Sequence, residues 1–320
     1  MVNIGIIGYG HAGRDFAAQA FKRIAGIKVT AIATNSTKTM ARAKEDFPAA
    51  SVFTTHQALL EAANVQAIAI CTEPFRHFPI ARAVLASGRD VMLEKPGVIK
   101  LSEAETLANI THRSGRLVAV NQYWRFTRAL NTAKDLLAKG AIGEVVTVEA
   151  ELGNNGPPRD WFYDINKNGG GSFLDLGIHI VDAIRFLFDC EITALDVENM
   201  IYEEKHPLTD VIATATLQTD KDISGAIKTS WRMEPTARIT INGLEGTMII
   251  SFKPEQSVII QSLDGKEETQ TLIETPAVCA YTHFANLLLS GEKDLSGFTF
   301  LNNLGSLWPL IVANNQRGLA

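Results

Sequence analysis

Three glycines near the start of the chain constrain its fold more than any other feature of the sequence. They stand in the run Gly8-Tyr9-Gly10-His11-Ala12-Gly13, which follows an apolar stretch, Val2–Ile7, and opens a segment of helical periodicity, Ala12–Ala25. Such glycines permit a tight turn, a close approach of backbone to a pyrophosphate, and close packing of helix on strand. The helix N-terminus adds free N–H groups and a positive dipole end. The segment predicts the first βαβ unit of a dinucleotide-binding domain; a purely structural turn is the weaker alternative.

Strand and helix continue to alternate up to about residue 120, which predicts a doubly wound parallel sheet. The predicted strands are Val2–Ile7, Lys28–Ala33, Val65–Cys71, Asp90–Leu93 and Leu117–Val120. The predicted helices are Ala12–Ala25, Thr37–Asp46, Ile80–Ser87 and one that starts near Ser102. In that last helix Ser102 and Glu105 have the spacing of a capping box.

The pattern changes after Asn121. Helices are predicted over Phe126–Gly140 and Phe173–Phe188, separated by a strand, Val145–Glu151, and a polar loop, Gly153–Gly171. From Ile192 to Gln261 strands dominate, and their alternating polarity predicts a mostly antiparallel sheet with one open face. Helices around Tyr281–Ser290 and Phe300–Asn314 close the chain. We expect an α/β protein with a Rossmann domain at residues 1–121 and an α+β domain at 122–320.

Composition excludes several classes of protein. The chain has 320 residues and a net charge of −5, with no run of Lys and Arg of the kind that binds nucleic acid. No stretch reaches the roughly 18–20 apolar residues of a membrane span. The three cysteines show no metal or disulfide spacing, and the N-terminus lacks the basic region of a signal peptide. We expect a cytoplasmic protein that binds no metal, membrane or nucleic acid.

The residues after the second predicted strand bear on cofactor choice. NAD-binding domains usually carry an acidic residue about 20 positions beyond the glycines, where it holds the ribose hydroxyls. Here the chain reads Thr34-Asn35-Ser36-Thr37-Lys38, without a carboxylate. This set tolerates a 2′-phosphate and favours NADP, although the usual arginine is absent. The alternative is that Asn35 binds the ribose of NAD or only forms the turn.

Two further motifs carry candidate catalytic groups. Glu94-Lys95-Pro96 follows the strand Asp90–Leu93, at the edge of an open α/β sheet where ligands bind. A lysine there can act on a substrate hydroxyl, whereas an exposed lysine paired with a glutamate is the simpler interpretation of the motif alone. In the apolar helix Phe173–Phe188 the polar residues Asp175, His179 and Asp182 form one stripe, preceded by three glycines. The stripe is either a solvated face or the wall of an active site, in which His179 would exchange a proton.

Together these motifs resemble the Gfo/Idh/MocA oxidoreductase family, the group of glucose-fructose oxidoreductase and myo-inositol dehydrogenase. The matching segments are residues 8–13 (GYGHAG), 71–77 (CTEPFRH), 94–96 (EKP), 121–126 (NQYWRF) and 169–182 (GGGSFLDLGIHIVD). They lie in family order and cover most of the first 190 residues. The resemblance implies a Rossmann domain followed by a larger domain whose open sheet often forms the oligomer interface, here a homodimer or homotetramer.

The resemblance also implies roles for single residues. Lys95 would contact nicotinamide and substrate, Asp175 would orient the reacting hydroxyl, and His179 would be the acid–base group. The predicted cofactor-binding residues are Gly8, Gly10, His11, Ala12, Gly13, Thr34, Asn35, Ser36, Lys38, Cys71, Thr72, Glu73, His77, Glu94, Lys95 and Asn121. Glu73 stands where the family often has proline or a small residue.

Aromatic faces and fixed hydrogen-bond donors suit sugars and polyols, so Arg125, Trp161 and Trp231 join Lys95, Asp175 and His179 as candidate substrate contacts. Each of the three is individually more common as a packing residue. We therefore expect an NADP-preferring oxidoreductase that transfers a hydride between a sugar or polyol hydroxyl and the nicotinamide. The alternatives are a dinucleotide-sensing regulatory protein on the same fold, a redox-cycling NAD-dependent glycosidase, and an imine or biliverdin-type reductase.

Overall fold

The computed structural model of the chain describes residues 1–253, 255–272, 279–292 and 299–315. The chain forms two compact units. The first consists of Met1–Tyr123 and Ala277–Leu304, and the second of Trp124–Pro276 and Gly305–Ala320. The segment Ala277–Leu304 returns to the first unit, which the sequence analysis did not anticipate.

The first unit contains a six-stranded parallel sheet in the order β3-β2-β1-β4-β5-β6. Its strands are β1 (Val2–Ile7), β2 (Ile27–Ala33), β3 (Ser51–Phe53), β4 (Ala67–Ile70), β5 (Asp90–Leu93) and β6 (Val118–Val120). Its helices up to this point are α1 (Ala18–Lys22), α2 (Thr37–Asp46), α3 (His56–Ala62), α4 (His77–Ala86) and α5 (Leu101–Ser114). Every residue of β4 is buried, as expected for a strand covered on both faces. The doubly wound parallel sheet is confirmed; β3 and α3 were not predicted.

Two helices begin where the sequence predicts, to within one residue, but differ in their local geometry. The segment Ala12–Ala17 is π-helical, since the N–H of Ala18 donates to the carbonyl of Gly13, five residues earlier. Helix α5 begins one residue before Ser102, so the predicted capping box of Ser102 and Glu105 is wrong. Glu103 instead accepts backbone hydrogen bonds from Ile99 and Lys100.

The second unit contains an eight-stranded sheet in the order β14-β13-β12-β11-β7-β10-β9-β8, antiparallel except for the pair β7 and β10. Its strands are β7 (Val145–Gly153), β8 (Ile192–Glu203), β9 (His206–Thr219), β10 (Ser224–Ser230), β11 (Thr236–Gly243), β12 (Gly246–Lys253), β13 (Gln256–Ser262) and β14 (Glu267–Leu272). Its helices are α6 (Arg128–Ala138), α7 (Ile165–Asn168) and α8 (Ser172–Phe188).

Alternation along the strands of this sheet separates two faces. In β7, Val148, Ala150 and Leu152 are buried against the helices, whereas Glu149 is exposed on the opposite face. The mostly antiparallel, open-faced sheet is therefore confirmed. The polar loop before α8 carries α7 and a 3₁₀ turn, Asp160–Tyr163.

Two helices follow the sheet, α9 (Cys279–Ser290) and α10 (Phe300–Asn315), close to their predicted bounds. Helix α9 lies in the first unit, and α10 begins there and ends in the second. Across the described part of the chain, no helix is both long and apolar enough to cross a membrane.

Candidate functional site

The glycine loop after β1 is shaped by two contacts that only glycine allows. Gly8 has a φ of +91°, and a Cβ there would lie 2.6 Å from the carbonyl oxygen of Cys71. A Cβ on Gly13 would lie 2.0 Å from the carbonyl oxygen of Gly8. Side chains at either position would thus force the backbone of β1, the loop and the end of β4 apart. The loop keeps its backbone bare at the start of the first helix, as phosphate binding requires.

Beneath this loop lies a polar cluster that the sequence analysis missed. The buried Tyr9 hydroxyl donates to Asp46 Oδ2 at 3.0 Å, and Arg14 Nε donates to the same oxygen at 2.7 Å. The guanidinium of Arg14 lowers the pKa of Asp46, while burial and the neighbouring carboxylate raise that of Tyr9. Asp46 ends α2 and thereby ties the second βα unit to the first helix. His11, in contrast, is exposed on the loop, 2.7 Å from Asp15.

The residues after β2 divide into a buried and an exposed part. Thr34 is buried, and its hydroxyl lies 2.6 Å from that of Thr39. Ser36 caps α2, because its hydroxyl accepts the N–H of Thr39 at 3.1 Å. Asn35 and Lys38 are exposed. No carboxylate lies in this segment, in agreement with the sequence.

The segment after β4 leads into α4. Thr72 and Glu73 are half-buried there, and Glu73 forms an ion pair with Arg76 at 3.4 Å. His77 is fully buried, with Nε2 3.0 Å from the carbonyl oxygen of Thr72 and Nδ1 3.2 Å from that of Gly97. Burial lowers the pKa of His77 to about 4, although the contacts with the two carbonyl oxygens oppose this shift. This geometry favours a positioning role for His77 over the direct cofactor contact that the resemblance implied.

The turn after β5 carries Glu94, Lys95 and Pro96, with a cis peptide bond between Lys95 and Pro96. Asn121, which follows β6, donates from Nδ2 to Glu94 Oε1 at 2.8 Å. Asn121 is 3% exposed, and none of the described residues hydrogen-bonds to its Oδ1. The carboxyl ends of the neighbouring parallel strands β5 and β6 thus bring Glu94, Lys95 and Asn121 to one edge of the sheet.

These features fit a nicotinamide dinucleotide. The glycine loop leaves its backbone uncovered for the pyrophosphate. A Cβ on Gly8 or Gly13 would clash with neighbouring backbone atoms. The buried Asn121 Oδ1 offers an acceptor for an amide donor such as a carboxamide. Among the described residues, no group of three His, Cys, Asp or Glu side chains is placed to hold a metal ion.

In the second unit, helix α8 is anchored by Asp210 of β9. Its Oδ2 accepts the Ser172 hydroxyl at 2.7 Å and the Phe173 N–H at 2.9 Å, so it caps the helix. A Cβ on Gly171 would lie 2.1 Å from the carbonyl oxygen of Asp210. Burial raises the pKa of Asp210, and these hydrogen bonds oppose that shift. The last glycine of the predicted motif is therefore required by the strand that fixes the helix.

Asp175 and His179, the first two residues of the polar stripe on α8, contact aromatic side chains. Trp231 is fully buried, and its indole Nε1 donates to Asp175 Oδ2 at 3.2 Å. The ring of His179 stacks on Trp124, with centroids 5.5 Å apart, and Trp124 stacks in turn on Phe252 at 4.2 Å. Asp175 and His179 are 8% and 7% exposed, so the stripe is not a solvated face. Trp124 was not among the predicted site residues.

Asp182, the third residue of the polar stripe, is buried and hydrogen-bonded to other side chains. Its carboxylate forms two hydrogen bonds with Arg125, of 2.7 and 2.9 Å, and accepts the Ser306 hydroxyl at 2.9 Å. The side chains of Arg125 and Asp182 are 6% and 1% exposed. This buried pair favours a structural role for Arg125 over the substrate contact that the sequence predicted.

The aromatic residues of the loop before α8 contact Trp231. Trp161 stacks on Phe162 with centroids 3.8 Å apart, and Phe162 meets Trp231 edge-on at 6.3 Å. Trp161 remains half-buried. In the second unit, contacts thus connect Trp161 through Phe162 and Trp231 to Asp175, and His179 lies one turn further along α8; Lys95 belongs to the first unit.

Comparison with known proteins places both halves of the chain in one family. Residues 2–122 match the sequence pattern described as the oxidoreductase family with an NAD-binding Rossmann fold. Residues 130–249 match the GFO/IDH/MocA C-terminal domain.

Individual relatives agree with this. The uncharacterized oxidoreductase YdgJ of Escherichia coli is 32% identical over 58% of this chain and 54% of its own length. The scyllo-inositol 2-dehydrogenase (NAD(+)) of Bacillus subtilis is 25% identical over 74% of this chain and 71% of its own length. The first curated relatives are thus matched over about half of their length.

Among solved structures, the 3-ketoreductase KijD10 of Actinomadura kijaniata, in complex with NADP and TDP-benzene, has a TM-score of 0.86 at 22% identity. The match covers 98% of this chain and 97% of that chain. At this level of identity the similarity shows a shared fold.

Proposed function

Since the chain belongs to the Gfo/Idh/MocA family of oxidoreductases with an NAD-binding Rossmann fold, we propose that it interconverts a hydroxyl and a carbonyl group of a sugar or polyol. The observation that carries the proposal is the fixed pair on α8. Trp231 holds Asp175 and Trp124 holds His179, so a carboxylate and an imidazole stand one helical turn apart on the same face. Relatives that act on inositols and glucosides support the substrate class.

In this proposal three side chains act on one hydroxyl. Asp175 orients it, and Lys95 favours its ionisation through positive charge. His179 takes the hydroxyl proton. The bound nicotinamide supplies the hydride acceptor, or the donor in the reverse reaction.

The first unit binds the dinucleotide in this account, and the second binds the substrate. The glycine loop with His11 and Ala12 receives the pyrophosphate, while Cys71, Thr72, Glu73, Glu94 and Asn121 line the remainder of the cofactor. We propose that NADP is preferred over NAD, because Thr34, Asn35, Ser36 and Lys38 place no carboxylate against a 2′-phosphate. Both NAD and NADP occur among the relatives.

On the substrate side, Trp161 supplies aromatic surface suited to the C–H faces of a sugar ring, whereas the fully buried Trp231 acts indirectly, by holding Asp175. Arg125 contributes indirectly, by fixing α8 through Asp182. The open face of the second sheet is proposed as the interface of a homodimer or homotetramer. The free cysteines Cys71, Cys190 and Cys279 fit a reducing compartment, and we propose the cytoplasm.

A substrate screen tests the proposed function. Aldoses, uronic acids and inositols are each mixed with NAD or NADP, and the absorbance of reduced nicotinamide is followed. We expect turnover with at least one of these compounds and a higher rate with NADP. No change with either cofactor, in a protein that binds dinucleotide, would instead indicate a sensing protein.

A further inference from the structure

Helix α9, which returns to the first unit, places a tyrosine against the turn after β5. The Tyr281 hydroxyl donates to Glu94 Oε1, the oxygen that also receives the amide of Asn121 at 2.8 Å. The Sγ of Cys71 lies 3.4 Å from the same hydroxyl. Tyr281 is fully buried and stands 187 residues after Glu94. None of the sequence motifs includes it.

The hydrogens in this cluster have one direction. Tyr281 has a single phenolic hydrogen, and it is donated to Glu94. The thiol hydrogen of Cys71 is then the one that points to the tyrosine oxygen. Burial raises the pKa of both Tyr281 and Cys71, which keeps both protons in place. Glu94 Oε1 therefore receives two fixed donors, and the carboxylate has one orientation.

This orientation matters because of what lies next to it. Lys95 follows Glu94 directly in the chain, and the buried Asn121 Oδ1 lies on the amide whose Nδ2 is bound to Glu94. With Oε1 occupied, Oε2 of Glu94 and Oδ1 of Asn121 remain as acceptors beside it. A nicotinamide nucleoside carries matching donors in its carboxamide and ribose hydroxyls.

We propose that Tyr281 is a positioning residue for the nicotinamide end of the cofactor, acting through Glu94. The inference rests on the proposed function, since it assumes that a nicotinamide dinucleotide binds here. It assigns the returning segment a role in the cofactor site as well as in packing. Packing is also present, because the Tyr281 ring meets Phe21 edge-on at 5.7 Å.

Cofactor affinity in a double-mutant cycle separates these two roles. Tyr281→Phe keeps the ring and removes only the hydroxyl, and Glu94→Gln keeps the shape and removes the charge. Binding of NADPH to the full chain is measured by nucleotide fluorescence for the parent, each single variant and the double variant. The control is Tyr202→Phe, which removes the hydroxyl of an exposed tyrosine on β8.

We expect Tyr281→Phe to weaken NADPH binding by about 5- to 50-fold, since a hydrogen bond to a charged group is lost. In the Glu94→Gln background the same change should have little further effect. Parental affinity in Tyr281→Phe, or losses that multiply in the double variant, would overturn the proposal.

Should Phe at position 281 prevent folding, Glu94→Gln alone remains decisive, and parental affinity in that variant overturns the proposal. The outcome is independent of sugar turnover. A protein that binds NADPH through Tyr281 and turns over no sugar would refute the proposed function alone.

Discussion

The glycine loop of the first unit and helix α8 of the second prepare their surfaces by opposite means. The loop depends on missing side chains, since a Cβ on Gly13 would lie 2.0 Å from the carbonyl oxygen of Gly8. The helix depends on side chains held in buried pairs, such as Asp182 with Arg125 and Asp175 with Trp231. The first arrangement exposes backbone N–H groups to a phosphate, and the second fixes acid and base groups for chemistry.

Because of this difference, substitutions in the two regions should affect different properties of the protein. Loss of one partner of a buried ion pair should lower the stability of the fold, because the other charge is left uncompensated. A close glycine contact fixes the position of a few backbone atoms, so its loss should lower ligand affinity first.

Asp182→Asn should have the largest effect on stability. It leaves the guanidinium of Arg125 buried without its carboxylate, at a cost of about 3–5 kcal/mol in the free energy of unfolding. Asp189→Asn is the matched control, because Asp189 pairs with Lys134 at 2.6 Å but its side chain is 72% exposed. We expect the control to cost less than about 1 kcal/mol in urea denaturation. Equal losses in both variants would contradict the assigned role of Asp182.

His77 should make the stability of the first unit depend on pH. Its folded-state pKa of about 4 lies below the ordinary value of 6.5, so the unfolded chain binds the proton more tightly. The neutral ring therefore contributes full stability above pH 6.5, and this contribution is lost as the pH falls towards 4. The loss amounts to about 3 kcal/mol. His77→Gln should flatten this part of the curve of unfolding free energy against pH, and an unchanged slope would refute the assignment.

Gly13→Ala should weaken cofactor binding more than it weakens the fold. The added Cβ forces the loop away from its contact with Gly8, an overpacking that costs about 1–3 kcal/mol. Gly88→Ala is the control, since a Cβ there meets no atom within 4 Å, although its φ of +75° adds strain. We expect both variants to lose some stability and only Gly13→Ala to lose NADPH affinity. Normal affinity in Gly13→Ala would argue against a phosphate at this loop.

Ser36→Ala should have the smallest effect. The serine hydroxyl caps α2 through Thr39, and its loss costs about 1 kcal/mol of stability. Because the hydroxyl is used in this cap, we expect the ratio of NADP affinity to NAD affinity to stay constant in the variant. A shift of that ratio towards NAD would show that the hydroxyl also contacts the 2′-phosphate.

The same contrast explains which features the sequence could predict. Strand Val2–Ile7, helix Thr37–Asp46 and strand Asp90–Leu93 were predicted with their observed bounds, because periodicity and neighbouring turn residues determine them locally. The glycine loop was predicted for the same reason. The start of α5 was predicted to within one residue, but the capping box was wrong, because the choice between Glu103 and Glu105 depends on which residue begins the helix.

The partners in the second unit could not be predicted from local patterns. Asp175 and His179 were found by their spacing, but Asp210 of β9 and Trp231, which follows β10, reach α8 from later parts of the chain. Arg125 was assigned to the substrate because nothing in the sequence shows that Asp182 faces it. Tyr281 joins Glu94 only through the return of the chain to the first unit. Such contacts arise from topology, which a single sequence does not display.

The most direct test of the proposed chemistry is the replacement of Lys95 by alanine, measured on a substrate confirmed in the screen. Turnover should fall by about 10²–10⁴-fold, the usual contribution of acid–base groups, while NADPH affinity stays within a few fold of the parent. Lys44→Ala, an exposed lysine of the same unit, should leave both quantities unchanged. Near-parental turnover in Lys95→Ala would contradict the assignment of Lys95, and with it the account of the active site.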